Sequence, residues 1–243
     1  MNKPRWLVLM DELLWPTVGF ASERLESRAG PDLTLNVIPQ CALYHFIYCI
    51  DASMQTNEKG RHSASMCLVR QCVESLTIVE VGLLPVEHGD VILDKWYRGR
   101  LSHGTVRGTL ERESWSRYGK GLWSESWAEF SGQLARAVQP YAHYSPELLG
   151  WQFAVPPGVK LVGNKSVARI GPETYDPLKA SRITVLHAIM CWALCRILAE
   201  NGHLPPDKQA VVVEMGAELS RSKLLSGGAL SWSQELWPHM FFK

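Results

Sequence analysis

Between Trp123 and Tyr144 the apolar residues Trp123, Trp127, Phe130, Leu134, Val138, Tyr141 and Tyr144 recur at steps of three and four. That spacing predicts a helix with one buried face and a polar opposite face. Arg136 and His143 share another face of this stretch, seven residues apart. Two helical turns span about 7.2 residues, so the side chains would project the same way, roughly 10 Å apart along the axis. Pro140 lies between them and has no N–H to give the carbonyl of Arg136, so a kink or a restart is expected there.

The same periodicity runs through most of the chain. A first helix is expected from Pro4 to about Arg28, kinked or split at Pro16, and a second from Asp32, its cap, to about Met54, with Pro39 inside. Thr56 to Gly60 reads as a loop. A third helix, Arg61 to about Leu84, carries Met66, Val69, Val73, Leu76, Val79 and Leu83 on one face. On another it carries Arg70 and Glu74, spaced to touch each other. So apolar a helix would bury that pair at least in part, as a structural ion pair or as the border of a cleft shared with Arg136 and His143.

Residues 85–117 read as irregular with short helices. Lys95, Arg98, Arg100, Arg107, Arg112 and Arg117 alternate there with Trp96, Tyr97 and Trp115, followed by Tyr118. Basic and aromatic side chains together suit a polyanion with bases to stack on, although Asp90, Asp94, Glu111 and Glu113 dilute the charge. Ser145-Pro146-Glu147 can begin a short turn. VKLV-Gly163-Asn164-KSVARI reads as a small β-hairpin with a primed turn. Asp176-Pro177 is a strong helix start, and that helix should run to about Glu200 and stop at Asn201-Gly202, with His187 a hydrogen-bonded core residue. Asp207 is expected to cap a helix to about Leu225, and Ser231 with Gln234 a last short one. The fold class is therefore all-α: a helical bundle over residues 1–154, with the hairpin and C-terminal helices of 155–243 packed on it.

Bulk properties narrow the function. The net charge of +1 argues against a strongly basic nucleic-acid wrap, and 46% apolar with 20% charged residues is a globular balance. No signal peptide and no transmembrane helix is expected, which points to the cytoplasm, where the six cysteines would be small buried hydrophobes. Cys191 and Cys195 are four apart, but no second His or Cys pair at ligand spacing completes a metal site, and no cofactor motif is found. The phosphate loop, the dinucleotide glycine motif, H-E-x-x-H and G-x-S-x-G are all missing from the sequence.

Arg136 and His143 are what remains. A guanidinium fork can hold a phosphate and an imidazole can move protons near neutral pH. Together they can drive attack of a ribose 2′-hydroxyl on its own 3′-phosphate without a metal. Arg136-Ala-Val-Gln-Pro-Tyr-Ala-His143 resembles the arginine–spacer–histidine motif of the HEPN superfamily, and the helix bearing Arg70 and Glu74 resembles HEPN-like proteins of bacterial defence and toxin loci. The resemblance covers roughly residues 35–150. It implies a helical bundle, often a homodimer, and a metal-independent endoribonuclease of a toxin or phage-defence kind acting on RNA. Arg136 would bind the scissile phosphate, His143 would transfer protons, Arg70 and Glu74 would orient the cleft, and Tyr141 or Tyr144 would stack or hydrogen-bond. Many members of that superfamily are inactive and bind partners or nucleotides.

The alternative is therefore a non-catalytic helical interaction module that binds a nucleotide or a partner protein. Trp115, Trp123, Trp151, Trp232 and Trp237 are its candidate anchors.

Overall fold

In the computed structural model the described residues are 3–145, 148, 151–152 and 173–222. They form helices α1 (Arg5–Glu26), α2 (Leu33–Glu58), α3 (His62–Gly82), α4 (Val86–Tyr97), α5 (His103–Glu113), α6 (Trp127–Val138), α7 (Pro177–Glu200) and α8 (Pro206–Ser220). Short 3₁₀ turns follow α5 at Trp115–Tyr118 and α6 at Gln139–Ala142. Among the described residues there is no β-strand, only one antiparallel bridge between Lys120 and Ser126. The all-α class expected from periodicity is thus what the chain adopts. The expected hairpin over 159–170, the last short helix, Trp232 and Trp237 lie outside the described residues.

Local chemistry sets most helix ends. The Asp32 carboxylate accepts from the N–H groups of Thr34 and Leu35, and Asp176 does the same for Leu178 and Lys179. α7 ends before Gly202, whose φ of +73° suits a residue without a side chain. Ser145 Oγ accepts from Leu148 N–H at 3.1 Å, as its place at the start of a turn suggested.

Several boundaries differ from the sequence expectation. α1 runs unbroken through Pro16. α2 continues through the expected loop to Glu58, and the chain turns at Gly60, φ +72°. α8 starts after Pro205 with no side-chain cap and ends at Ser220. The central helix is shortened at both ends. Residues 119–126 close a loop instead, with Gly121 N–H bonded to Glu125 O at 2.8 Å and Trp127 N–H to Gly119 O at 3.2 Å. Ser126 then caps α6 through the N–H of Glu129, the start of an S-x-x-E capping pattern that the apolar periodicity had masked. At the far end Val138 is the last α-helical residue, because Pro140 cannot donate and the chain tightens to 3₁₀.

α2 and α3 are joined by a tight turn and pack as an antiparallel pair, the most extensive contact between helices among the described residues. α7 packs on α1, α2, α3 and α8, and α3 also carries α4, α5 and α6. One core cluster runs from Trp6 to Leu219. From Val185 to Cys195 every residue of α7 is buried, as expected of a helix apolar on all sides. α2 and α7 are both long and apolar enough to cross a membrane. The burial of α7 within the bundle accounts for its character, whereas α2 leaves Leu33, Val37, Tyr44 and Tyr48 exposed.

Polar contacts fix the register of these helices. His62 Nε2 accepts the backbone N–H of Asp176 at 3.0 Å, so its proton sits on Nδ1 and is donated to Asn57 Oδ1 at 2.8 Å. Glu173 accepts from the N–H and hydroxyl of Ser63 at 2.7 and 2.8 Å, serving the N-terminus of α3. Arg28 is buried between α1, α3 and α4, donating to Gly82 O at 2.9 Å and pairing with Asp90.

Gly82, at the end of α3, has no room for a side chain, since a Cβ there would run into the ring of Pro39 on α2. Gly82→Ala is expected to lower the unfolding free energy by about 1–3 kcal/mol through overpacking. Urea denaturation monitored by circular dichroism measures it, and a neutral result would show that α2 and α3 can separate there without cost.

Candidate ligand-binding cleft

The ending of α6 at Val138 decides how Arg136 and His143 stand. Arg136 is on the last α-helical turn and exposed, and it makes no ion pair among the described residues. His143 is beyond the 3₁₀ turn, exposed, in extended backbone at φ −139°, ψ 170°. The single helical face expected to carry both is therefore not formed, and neither residue lines the cleft described below. Tyr141 is buried, its ring edge-on to Trp151 and its hydroxyl accepting the Trp151 indole N–H at 3.0 Å. Tyr144 is exposed, 3.4 Å from Gln152 Oε1.

Arg70 and Glu74 do pair, as their spacing implied, and Arg70 is only 5% exposed. Its Nη2 also donates to Gln139 Oε1 at 3.1 Å, which ties α3 to the turn between Arg136 and His143. Of the tryptophans expected as partner anchors, Trp232 and Trp237 lie outside the described residues and the other three are at least half-buried. Trp115 and Trp151 are buried, Trp123 is half-buried, and Trp115 gives its N–H to Glu80 at 2.7 Å. The basic residues of 95–117 are dispersed: Arg98 pairs with Asp94, Arg112 donates to Thr109, and Arg117 reaches Asn201 on the far side.

A cleft lies elsewhere, between α2, α3, α4 and α5, with a volume of about 650 Å³. Leu33, Val37, Ile38 and Ala42 of α2 and Ile78 of α3 give it an apolar wall, Trp96 and Tyr97 close it from α4, and the exposed thiol of Cys41 opens onto it. Its polar groups include Gln71, Glu74 and His103. His103 sets its ring edge-on to Trp96, centroids 5.6 Å apart. One turn along α5, Arg107 stands near enough to Arg70 that the two guanidinium groups repel; burial first, then Arg70, lowers the pKa of Arg107. Burial also lowers that of His103, with Glu74 opposing. Arg70–Glu74 on α3 and His103–Arg107 on α5 are thus two i,i+4 pairs facing each other. Sequence reading placed Arg107 in a diffuse basic segment and passed over His103, although their spacing around Val106 was a findable signal.

Two buried titratable groups stand apart from this cleft. His187 Nε2 bonds Ser53 Oγ at 2.7 Å, Ser53 Oγ bonds Ser65 Oγ at 2.7 Å, and burial pushes the imidazole down to about 4. This is the hydrogen-bonded core histidine expected from sequence, closed to solvent. Glu80 is 3% exposed against Trp115 and Tyr118, and burial raises it from 4.5 to about 7, against the opposing effects of Trp115, Tyr118 and Arg117. Cys195 Sγ rests 3.2 Å from Thr17 Oγ1, and no group of three or more His, Cys, Asp or Glu among the described residues could hold a metal.

Comparison of the chain with models of known families, with curated proteins and with solved structures found no match.

Glu80 gives stability a definite pH dependence. Its folded value of about 7 lies above the ordinary 4.5, so the native state keeps a proton that the unfolded chain releases in between. The resulting stabilisation is complete below 4.5 and is lost as pH rises through about 7, on the order of 3 kcal/mol in all. Glu80→Gln should therefore lose much less stability than wild type between about pH 5 and pH 8 in urea denaturation. Taking the difference between the two proteins cancels His187, whose contribution runs the other way, present above 6.5 and lost as pH falls toward about 4. Parallel pH profiles would mean Glu80 is ionised in the fold throughout.

Proposed function

We propose that the protein is a non-catalytic α-helical binding module that takes a small organic ligand into the cleft between α2, α3, α4 and α5. One observation carries the reading: a cleft of about 650 Å³ with an apolar and aromatic wall, interrupted by the polar side chains of Thr34, His45, Gln71, Glu74, Ser75 and His103. That size and that division of chemistry are those of small-molecule sites. Of the alternative anchors for a partner protein, Trp115 and Trp151 are spent in the core and Trp123 is half-buried, which favours the cleft as the binding surface.

A second reading, the metal-independent endoribonuclease of a toxin or phage-defence type, has one observation in its favour. Arg136 and His143 are both open to solvent, and Arg70 steadies the turn between them through Gln139. In that reading RNA would be the substrate and a homodimer would have to bring two copies of the pair together.

Two experiments separate the readings. With the neutral dye Nile red, the wild type is expected to give a saturable rise in fluorescence. Ala42→Trp, which fills the cleft, should weaken binding at least about tenfold, roughly 1.4 kcal/mol, while its circular dichroism stays unchanged. Binding untouched by the substitution would remove the cleft from the function. End-labelled RNA in EDTA should show no cleavage that depends on His143. Cleavage that survives EDTA, leaves cyclic phosphate ends and vanishes in His143→Ala would put the ribonuclease reading first.

A further inference from the structure

Resting on the reading of the α2–α5 cleft as a ligand site, we infer that its ligand is an uncharged molecule with an apolar body and an O–H or N–H donor at one end: an alcohol, a phenol or an amide. The donor would bond Oε2 of Glu74, and the body would lie along the wall of Ile38, Ala42 and Trp96.

Among the described residues that line the cleft, Glu74 is the only Asp, Glu, Lys or Arg. Its carboxylate is half used. Oε1 takes the Arg70 guanidinium, and no hydrogen bond among the described residues reaches Oε2. The side chain is 23% exposed, so that oxygen is open to water while the cleft is empty. Gln71, one turn earlier on α3, also lines the cleft, and its side-chain amide has no hydrogen-bond partner among the described residues. Ser75 turns its hydroxyl back onto Gln71 O at 2.9 Å and so offers the cleft an oxygen rather than a proton. α3 therefore presents a polar ledge in which acceptors predominate. A ligand that fills the cleft strips water from that ledge, and an acceptor stripped of water without a donor in return weakens binding.

Charge sets the rest. An ion taken out of water into an apolar cleft needs a counter-charge there. A cation would find Glu74 already neutralised by Arg70, with Arg107 close behind. An anion would meet the Glu74 carboxylate itself, because Arg70 and Arg107 do not line the cleft. His103 supplies no counter-charge near neutral pH, since burial lowers its pKa from 6.5. A neutral head avoids both penalties. A purely apolar ligand avoids them too but leaves Oε2 facing hydrocarbon, so among neutral molecules those that donate a hydrogen bond are favoured.

Displacement of Nile red from the full chain tests this with probes that share one naphthalene body: naphthalenemethanol, its methyl ether, naphthoate and naphthylmethylammonium. The alcohol is expected to displace the dye at the lowest concentration. The ether, which differs in lacking the donor, should need about tenfold more, roughly 1.4 kcal/mol, and each ion at least as much. Glu74→Gln, with circular dichroism unchanged, should shrink the gap between alcohol and ether to about twofold, because one amide oxygen cannot serve Arg70 and the ligand together. Equal displacement by alcohol and ether in the wild type would overturn the donor without any variant. Tightest displacement by naphthoate or by the ammonium would overturn the neutral head, and a gap that survives Glu74→Gln in full would overturn Glu74 as its acceptor. In each of these cases Ala42-dependent binding of Nile red keeps the cleft reading standing. If no probe displaces a dye that binds in that way, the ligand class is wrong and the cleft stands. If Nile red itself fails to bind, both fall.

Discussion

A helix that is apolar on every side has to be enclosed, and the enclosure of α7 organises the rest of the molecule. α1, α2, α3 and α8 each give it a face, and every residue of Val185–Cys195 is buried. Hydrophobic burial is non-directional, so it does not choose the rotation of a helix that is apolar all round. The choice falls to polar groups. His187 can bond Ser53 only in one rotation, and Ser65 then fixes α3 to the same point. A rotated α7 would leave an imidazole buried without a partner, at a cost far above that of repacking aliphatic side chains.

With α7 filling one side of α3, the other sides of α3 become a platform. α4, α5 and α6 pack there as short amphipathic helices, too small to enclose anything themselves. The cleft is the space that α2 and α3 leave where α4 and α5 lean across them. Its apolar wall is continuous with α2's exposed residues Leu33 and Val37, and its polar end sits where α5 crosses α3. Of the ion pair Arg70–Glu74, Arg70 belongs to the platform and Glu74 to the cleft lining.

The helices were legible because apolar residues at steps of three and four leave few alternatives. The starts of α2 and α7 were legible because Asp32 and Asp176-Pro177 are chemically committed to capping. The start of α6 was not, since Trp123 keeps the apolar period while Glu125, Gly121 and Gly119 fold the backbone into a closed loop that periodicity cannot register. Pro16 and Pro140 illustrate how context decides: one sits inside a long, well-packed helix that continues past it, the other at the end of a 12-residue helix that stops. Of the site, the Arg70–Glu74 pair was readable from i,i+4 spacing alone. That His103 and Arg107 would face it was not, because nothing in a sequence states which faces of two helices meet.

The contacts at Asn57, His62 and Ser63 reach across to Glu173, Asp176 and Ala180. In chain terms they close a loop of 110 residues between Ser63 and Glu173. The entropy of closing a flexible loop grows only as the logarithm of its length, about 4 kcal/mol for one this long. Because the dependence is so shallow, the closure is nearly indifferent to how many residues hang within the loop. The segment from α3 to the start of α7 can therefore lengthen or shorten over evolutionary time at little thermodynamic expense, while the helices that clasp its two ends cannot. That same segment holds most of the residues on the polar side of the cleft, so that side is built from chain whose length the closure itself constrains little.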